Sequence, residues 1–322
     1  MKQIIRIVIV IILAGVIDWM LAGPINKVLF KYRHHDRKRL TEIYENNTPY
    51  DVLFIGSSRT HRSIHPAIID SICGVNSYNA GTESGAIHDF RLTLDGYLVH
   101  HPAPIVLVLT LDLSSFLQSY SLHFYPQYYP YLDNVAVDTT LSALGYHPTL
   151  IRAFPFLMIT DLDDFSKESA IQMLRGRDTT DIPAGDFEYK GFISNTENYI
   201  KKPQLEKAIK KMTITADARH SLDEIIDQCR VHKIKLIFTY APEYDFNLQK
   251  TRTNKDSVFA LIYQKARENN IPYLRDDSLA LCKDPKLFAN NGHLNKPGAI
   301  VYSTVLGEEL KKLFGSYARG ER

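Results

Sequence analysis

The chain has 322 residues, of which 45% are hydrophobic and 23% are charged, and its formal net charge is +2. This length is enough for one large α/β domain with an insertion, or for two domains. The near-neutral charge gives no reason to expect a nucleic-acid partner or an acidic substrate. Cys73, Cys229 and Cys282 lack the spacing of a metal site, so we expect buried free thiols. The sequence contains no glycine-rich phosphate loop and no Cys/His set with zinc spacing, so we expect neither a cofactor nor a metal.

The amino-terminal stretch predicts a membrane anchor at residues 1–23. An unbroken aliphatic run follows Arg6 and ends before Asp18, and Trp19-Met20-Leu21-Ala22 continues it. Reading through Asp18 gives a marginal membrane span with Trp19 near an interface. The residues around Ala22 fit a cleavage site poorly, which favours an uncleaved anchor over a cleaved signal. A buried core helix is the alternative, and the aliphatic run makes it the weaker one.

Residues 24–48 read as a basic linker that ends in a polar loop. Its charge bears on the orientation of the chain in a membrane, because two basic residues precede the apolar run and six follow it: Lys27, Lys31, Arg33, Arg37, Lys38 and Arg39. The positive-inside bias would therefore keep the large domain in the cytoplasm. The extracytoplasmic location that we adopt instead comes from a family resemblance described below.

Strand and helix patterns alternate after residue 49 and predict a parallel, doubly wound α/β sheet. The alternation stops near residue 112 and resumes near residue 216. The predicted strands cover residues 52–55, 75–78, 105–111, 235–240 and 271–274. We therefore predict a three-layer αβα domain from residues 49–116 and 216–322, with a capping insertion at 117–215. The tyrosine-rich part of that insertion suits either a carbohydrate- or acyl-binding surface or, more commonly, packing under a loop.

The first strand ends at Gly56, and two serines follow it directly. In open parallel sheets, ligands bind where the carboxyl ends of the strands open into a crevice. A hydroxyl held on that edge suits a nucleophile. The alternative is a turn in which Ser57 or Ser58 caps the following helix.

A histidine lies between the last strand and the last helix, in the sequence Asn290-Asn291-Gly292-His293. In the predicted topology this loop leaves the same sheet edge as Ser58, so His293 is placed to accept the Ser58 proton. Asn290 can turn its side-chain oxygen toward the other ring nitrogen. A loop histidine by itself is usually a surface residue, and only the pairing with Ser58 favours a catalytic role.

These motifs together resemble the SGNH (GDSL-like) hydrolases. Gly56-Ser57-Ser58 resembles the first block, and Asn290-x-x-His293-Leu294-Asn295-x-x-Gly298 resembles the last. Tyr78-Asn79-Ala80-Gly81 is similar to the second block. The similarity covers residues 50–116 and 220–314 and is greatest to membrane-anchored envelope members, such as the D-alanine transfer protein and polysaccharide O-acetyltransferases.

The resemblance implies a three-layer αβα fold with Ser58 as nucleophile, His293 as base and the amides of Ser58 and Gly81 around the oxyanion. It implies a membrane-tethered serine esterase or O-acyltransferase, with acetyl as the expected acyl group and cell-envelope polysaccharide as the substrate. The implied partners are an acylated glycan or acyl donor, a membrane-bound acyltransferase, and the membrane itself.

Two departures from the family pattern leave an alternative open. Asn290 stands where the family usually has aspartate, so a Ser–His dyad, or an acid from Asp276, Asp277 or Asp284, would have to serve. The third block, Gly-x-Asn-Asp, is absent, and Leu111-Asp112-Leu113-Ser114-Ser115 occupies its place. Ser114 or Ser115 would replace the missing oxyanion donor. Both departures favour a catalytically degenerate SGNH-fold protein that binds a glycan or assists a membrane acyltransferase.

Further residues near the predicted crevice are candidates for substrate contact. Arg59 and His61 follow the serines and suit an anionic or acyl substrate, although a solvated helix start is their more ordinary role. Glu83, Asp112 and His88 lie near predicted strand ends and are candidates to line the crevice, as is Ser114.

Overall fold

A computed structural model describes residues 2–32, 34–117, 121–154, 175, 188–195, 198–201, 210–211, 214–245, 252–253 and 255–320. Contacts divide the chain into two compact units. One comprises residues 1–45 and 124–184, and the other comprises residues 46–123 and 185–322. The second unit contains the main sheet and both halves of the predicted site.

Five parallel strands form the main sheet: β1 (Val52–Ile55), β2 (Ser77–Asn79), β3 (Val106–Thr110), β4 (Lys235–Tyr240) and β5 (Tyr273–Arg275). Their order is β2–β1–β3–β4–β5. The chain therefore winds one way from β1 to β2 and the other way from β3 onward. In such a sheet the crevice opens where the order reverses, between β1 and β3.

The sheet is enclosed by helices that pack in two layers. The helices of this unit are α3 (Ser58–Ser63), α4 (Pro66–Cys73), α5 (Ile87–His100), α8 (Ala216–Val231), α9 (Lys255–Glu268) and α10 (Lys296–Gly320). Phe54, Val108 and Ile237 lie on one sheet face and pack with the buried side of α10, which contacts α4. Successive strand residues point to opposite faces of the sheet. Helices α5 and α8 contact each other; α5 also contacts β1, and α8 also contacts β4. The predicted three-layer αβα fold with a doubly wound parallel sheet is confirmed.

The first unit contains the helices α1 (Lys2–Tyr32), α2 (His34–Tyr44), α6 (Val135–Ala143) and α7 (Pro148–Ala153). Residues Lys2–Met20 have a mean hydropathy of 2.2, and 6% of the stretch is buried. This helix is long and apolar enough to cross a membrane, and a signal sequence has the same properties. The predicted linker is helical at residues 24–32 and 34–44, with the polar loop beginning after Tyr44.

The tyrosine-rich part of the insertion forms a 3₁₀ segment, Tyr125–Tyr131. Tyr128 and Tyr131 are buried and pack against Tyr44, with ring centroids 5.9 and 5.4 Å away. These rings form a small core rather than an exposed binding surface. Most of the remaining predicted cap lies outside the described residues, so its covering of the crevice stays a prediction.

A hairpin from the end of the insertion, Glu188–Tyr189 paired with Phe192–Ile193, contacts the edge strand β2 through its turn. The Asn79 amide donates to the Lys190 carbonyl at 3.0 Å, and Lys190 Nζ donates to Asp70 at 2.7 Å. Gly191 has φ +80° and approaches the Asn79 carbonyl so closely that a Cβ would overlap it. Only glycine fits this turn.

Candidate active site

The serine pair is positioned by a tight turn at the carboxyl end of β1. A Cβ on Gly56 would overlap Thr60 Oγ1 and crowd Thr110, so the turn requires glycine. Ser57 then caps α3, its Oγ accepting from the Arg59 amide at 3.2 Å. Ser58 is the first residue of the helix and is half-buried. The capping role that the sequence left open between the two serines belongs to Ser57.

The Ser58 hydroxyl lies 2.7 Å from Nε2 of His293. These two side chains come from positions 235 residues apart, at the carboxyl ends of elements that the predicted topology placed together. Their predicted proximity is confirmed. A separation of 2.7 Å is within direct proton-transfer distance.

Asn290 fixes the tautomer of the His293 ring. His293 lies in a short hairpin, Phe288–Asn290 paired with His293–Leu294. Asn290 Oδ1 accepts from the backbone amides of Gly292 and His293 at 3.0 and 3.1 Å, which identifies that atom as the oxygen. The same oxygen lies 2.9 Å from His293 Nδ1. Nδ1 must therefore carry the proton, and Nε2 is free to accept one from Ser58.

The surroundings of His293 favour its neutral form. Burial lowers the pKa of its imidazole below the usual 6.5; nearby Glu83 and Asp112 oppose that shift, while Arg59 and Arg62 reinforce it. The net effect is a ring that is uncharged near pH 7. A neutral imidazole with an accepting Nε2 is the form that a general base requires.

A buried set of polar side chains lies beneath the serines, and we call it the inner cluster: Ser57, Arg59, Asp112, Tyr240 and Glu243. Ser57 donates to Asp112, and Arg59 lies 2.7 Å from Asp112 and 3.4 Å from Glu243. The Arg59 guanidinium also donates to the Ala241 carbonyl and lies 4.5 Å from the Tyr240 ring centre.

Arg59 is therefore committed to its protein partners rather than available to a substrate. Burial disfavours its charge, but Asp112, Tyr240 and Glu243 outweigh that effect and raise the pKa of Arg59 above its ordinary value. The cluster joins α3 to the carboxyl ends of β3 and β4. Its function is to hold the first turn of α3, and thus Ser58, in place.

A second set lies at the margin of the site, and we call it the rim cluster: His61, Arg62, Glu83 and Asn195. Glu83 accepts from Arg62 Nε at 2.6 Å and lies 3.1 Å from His61 Nδ1. Arg62 also donates to Asn195 at 2.9 Å, and Asn195 donates to the Leu294 carbonyl at 2.7 Å. The rim cluster thus connects α3 to the hairpin that carries His293.

A cavity of about 190 Å³ opens beside Ser58 and His293. Its walls are short or polar side chains and backbone: Ser57, Ser58, Arg59, Ser84, Gly85, Ala86, Asp112, Ser114, Gly292 and His293. Of the predicted substrate contacts, Arg59, Asp112 and Ser114 border this space. His61 is buried against Glu83, and neither of these two residues is part of the wall.

The predicted oxyanion donors differ in availability. The amide of Ser58 lies in the first turn of α3, where it has no carbonyl four residues back within the helix. The amide of Gly81 instead donates to Asn79 Oδ1 at 3.0 Å, and a Cβ on Gly81 would overlap the His61 backbone. Gly81 therefore packs the turn against α3, and its amide is occupied. Ser114 is exposed on the cavity wall, whereas Ser115 Oγ accepts from the Asp112 amide at 3.0 Å.

The alternative acids suggested by the sequence have other partners. Asp276 accepts from the Tyr302 hydroxyl at 3.0 Å, Asp277 pairs with Arg275 at 2.8 Å, and Asp284 caps a short 3₁₀ turn. Each of these carboxylates is held in its own local structure. Among the described residues, no group of three or more His, Cys, Asp or Glu side chains is placed to bind a metal ion.

Sequence reasoning missed Tyr240, Glu243, Arg62 and Asn195. Glu243 had a usable signal, because it follows β4 at the carboxyl edge of the sheet, where Ser58 follows β1. Asn195 had none, because it lies within the insertion, where no strand or helix pattern indicates proximity to the site.

No known protein family's sequence profile matches the chain, and no curated protein matches it. Among solved structures, it is similar to a provisionally assigned lipolytic protein of the G-D-S-L family from Desulfitobacterium hafniense DCB-2. The identity is 11%, the TM-score is 0.40, and the match covers 83% of this chain and 99% of the other. It is also similar to a provisionally assigned acylhydrolase from Bacteroides fragilis NCTC 9343, at 11% identity and a TM-score of 0.43, over 87% of this chain and 97% of the other.

Proposed function

We propose that this chain is a serine esterase or O-acyltransferase of the SGNH type, acting through a Ser58–His293 pair. The observation that carries the proposal is the 2.7 Å separation between Ser58 Oγ and a His293 nitrogen whose tautomer is fixed for proton acceptance. The position of the pair, at the reversal point of a doubly wound sheet, is where such folds bind ligands.

In the proposed reaction, Ser58 Oγ attacks the acyl carbonyl while its proton passes to His293 Nε2. In this proposal, the Ser58 amide and Ser114 on the cavity wall stabilise the oxyanion. His293 then protonates the leaving oxygen, which departs and leaves an acyl group on Ser58. Water as the second acceptor completes hydrolysis, and a sugar hydroxyl completes transfer.

The cavity supports a short acyl group as substrate. Its volume of about 190 Å³ is below the roughly 300–1,000 Å³ of pockets that enclose drug-sized ligands. Among the described residues that line it, none has a long aliphatic or aromatic side chain that would form a tunnel for a fatty-acid chain. Acetyl is the acyl group that suits this space best, in line with the resemblance to O-acetyltransferases.

The cell-envelope setting is supported by the apolar helix Lys2–Met20 and by the same resemblance. We propose an anchored chain with its sheet domain outside the cytoplasm, acting on an acylated polysaccharide, alone or with a membrane acyltransferase. Protease treatment of intact spheroplasts tests the orientation. Digestion of the sheet domain supports the proposal, and protection until lysis contradicts it.

A fluorophosphonate probe tests the nucleophile. We expect the full chain to be labelled at Ser58 and the Ser58→Ala variant to lose the label. Ser57→Ala is the matched control and should remain labelled, because Ser57 bonds to Asp112 rather than to His293. Equal labelling of the Ser58→Ala variant would refute the assignment.

A non-catalytic, glycan-binding SGNH fold is the second candidate function. Two observations favour it: Asn290 is neutral, and the Gly81 amide is occupied by Asn79. Intact-mass measurement after incubation with p-nitrophenyl acetate separates the two. A mass increase of one acetyl group that depends on Ser58 supports the enzyme, and glycan binding without any acyl adduct supports the binding protein.

A further inference from the structure

The side chain of Asn195, at the end of the insertion, makes two hydrogen bonds of opposite kind. Its Oδ1 accepts from Arg62 Nη1 at 2.9 Å, and its Nδ2 donates to the Leu294 carbonyl at 2.7 Å. A guanidinium can only donate and a carbonyl can only accept, so exchanging the amide oxygen and nitrogen would lose both bonds. The position therefore requires a side chain that accepts on one side and donates on the other.

The two partners of Asn195 belong to the two halves of the candidate site. Arg62 lies on α3 four residues after Ser58, which is about one helical turn. Leu294 directly follows His293 on its short strand, and α3 contacts that strand. Asn195 thus joins the helix that carries the hydroxyl to the strand that carries the imidazole. We call these two hydrogen bonds the Asn195 bridge.

Two further hydrogen bonds attach the same end of the insertion to the His293 hairpin. The Ile200 amide donates to the Phe288 carbonyl at 3.1 Å. Asn295 Nδ2 donates to the Asn198 carbonyl at 3.3 Å. Phe288 begins the first strand of the hairpin, and Asn295 directly follows the second. The end of the insertion is therefore bonded to the hairpin at more than one point.

The Asn195 bridge can affect the position of the ring without deciding whether the domain folds. The hairpin is held in the core by Phe288 and Leu294, which are fully buried, whereas Asn195 is only half-buried. The described residues that border the cavity include neither Asn195 nor Arg62. Catalysis is sensitive to small displacements, since a misplacement of about 1 Å can cost about 10²-fold in rate.

We propose that Asn195 positions His293 against Ser58 by bridging α3 and the His293 hairpin, so that the end of the insertion is a third element of the site. Asn195 is a positioning residue, because it acts through the helix and the strand that it joins. The inference deepens the proposed function and rests on it, since the position of the ring matters to catalysis only if Ser58 is a nucleophile.

The rate of Ser58 labelling by a fluorophosphonate tests the proposal in the full chain held in detergent. Asn195→Ala should lower the second-order rate constant about tenfold, because the serine and the base are less well aligned, while labelling still goes to completion. Asn195→Leu, which keeps a similar size and lacks both polar groups, should slow labelling to the same extent. An unchanged rate constant, or a lower final extent at an unchanged rate constant, would overturn the inference.

Asn269→Ala is the matched control. Asn269 is also half-buried, and its side chain likewise accepts from an arginine, Arg230, at 3.1 Å and donates to a carbonyl, that of Lys265, at 3.0 Å. It lies between α9 and β5, at the amino-terminal edge of the sheet and thus away from the site. Its loss should leave the labelling rate unchanged. Similar slowing in Asn269→Ala and Asn195→Ala would indicate a general loosening of the domain and would count against the proposal.

A double-mutant cycle with Arg62→Ala tests whether the two bonds act as one bridge. Either single change opens the Asn195 bridge, so the double variant Arg62→Ala/Asn195→Ala should be labelled about as slowly as the slower single variant. Independent contributions would multiply instead. Multiplied effects in the double variant would mean that Asn195 does not act by joining α3 to the hairpin.

The ¹⁵N NMR signal of His293 Nε2 gives a measurement that does not need catalysis, because the shift of a ring nitrogen reports whether it accepts a hydrogen bond. Ser58→Ala supplies the signal of the ring without that bond, and His293→Gln assigns it. Asn195→Ala should move the signal toward its Ser58→Ala position, and Asn269→Ala should not. An unmoved signal in Asn195→Ala would contradict the inference. If the parent chain is never labelled at Ser58, the proposed function fails, and the NMR signal still decides whether Asn195 positions the ring.

Discussion

The inner cluster and the rim cluster use similar chemistry in different solvent environments. Each pairs an α3 arginine with a carboxylate from a loop at the carboxyl edge of the sheet. The side chains of Arg59 and Asp112 are 9% and 2% exposed, whereas those of Arg62 and Glu83 are 25% and 32% exposed. Removing the partner of a buried ion strongly lowers the stability of the fold, whereas removing the partner of a solvent-exposed ion lowers it little. The inner cluster therefore contributes more to the stability of the fold than the rim cluster does.

Replacing Arg59 with methionine should give the largest loss of stability. The change leaves Asp112 and Glu243 buried without their cation, and breaking a buried pair in this way costs about 3–5 kcal/mol. Chemical denaturation of the variant and the parent chain measures the difference. Arg230→Ala is the control, because Arg230 pairs with Asp227 on the surface and its loss should cost roughly 0.2–1 kcal/mol. Equal losses in the two variants would remove the distinction between buried and exposed pairs.

Asn290→Asp places a negative charge beside the His293 ring, where the parent chain has a neutral amide. In Asn290→Asp, a carboxylate would accept from Nδ1 and the same two amides, so the pKa of His293 should rise by about one to three units. The acid limb of kcat/KM for p-nitrophenyl acetate should move up in pH by the same amount. An unchanged pKa of His293 in Asn290→Asp would show that the charge at position 290 does not reach the ring.

Ser57→Ala should have a moderate effect on stability. It removes the cap of α3 and one partner of Asp112, and the loss of an N-cap typically costs about 1 kcal/mol. Thermal unfolding measures this loss. A cost as large as that of Arg59→Met would indicate that the serine, rather than the arginine, is the main partner of Asp112.

Glu83→Gln should have the smallest effect on stability at neutral pH, under about 1 kcal/mol, because the pair is partly solvated. The folded pKa of Glu83 is about 2, below its usual 4.5, so its contribution is present above pH 4.5 and is lost as the pH falls toward 2. The difference in denaturation midpoint between parent and variant should therefore be smaller at pH 3 than at pH 7. A constant difference across this range would show that the charge of Glu83 does not stabilise the fold.

The sequence predicted the three layers and the parallel, doubly wound sheet well because buried strands and crossover helices have strong periodic patterns. It also placed Ser58 and His293 together, since strand ends in a parallel sheet share one edge. Boundaries were less accurate: β2 begins at Ser77 rather than Val75, because Asn76 instead bonds to Asp51 at the start of β1. Those positions depend on side-chain hydrogen bonds that periodicity does not encode.

The sequence could not predict which polar residues face the cavity and which face each other. Arg59 follows Ser58 and was a candidate for substrate contact, with a solvated helix start as its more ordinary role, but Asp112 and Glu243 from distant strand ends take up its charge. The Gly81 amide was expected at the oxyanion, but Asn79, only two residues earlier, accepts from it. Both outcomes depend on rotamers and close backbone approach, which a single sequence does not specify.

The hairpin at Glu188–Ile193 has a consequence for the solution behaviour of the domain. Strand β2 lies at the end of the sheet, and a bare strand there would offer free amides and carbonyls to a neighbouring molecule. Here the Lys190 carbonyl accepts from the Asn79 amide, and the tight turn at Gly191 brings the hairpin into contact with that residue. The hairpin thus occupies the last backbone amide of the edge strand, and a bulkier residue at Gly191 would disrupt that contact.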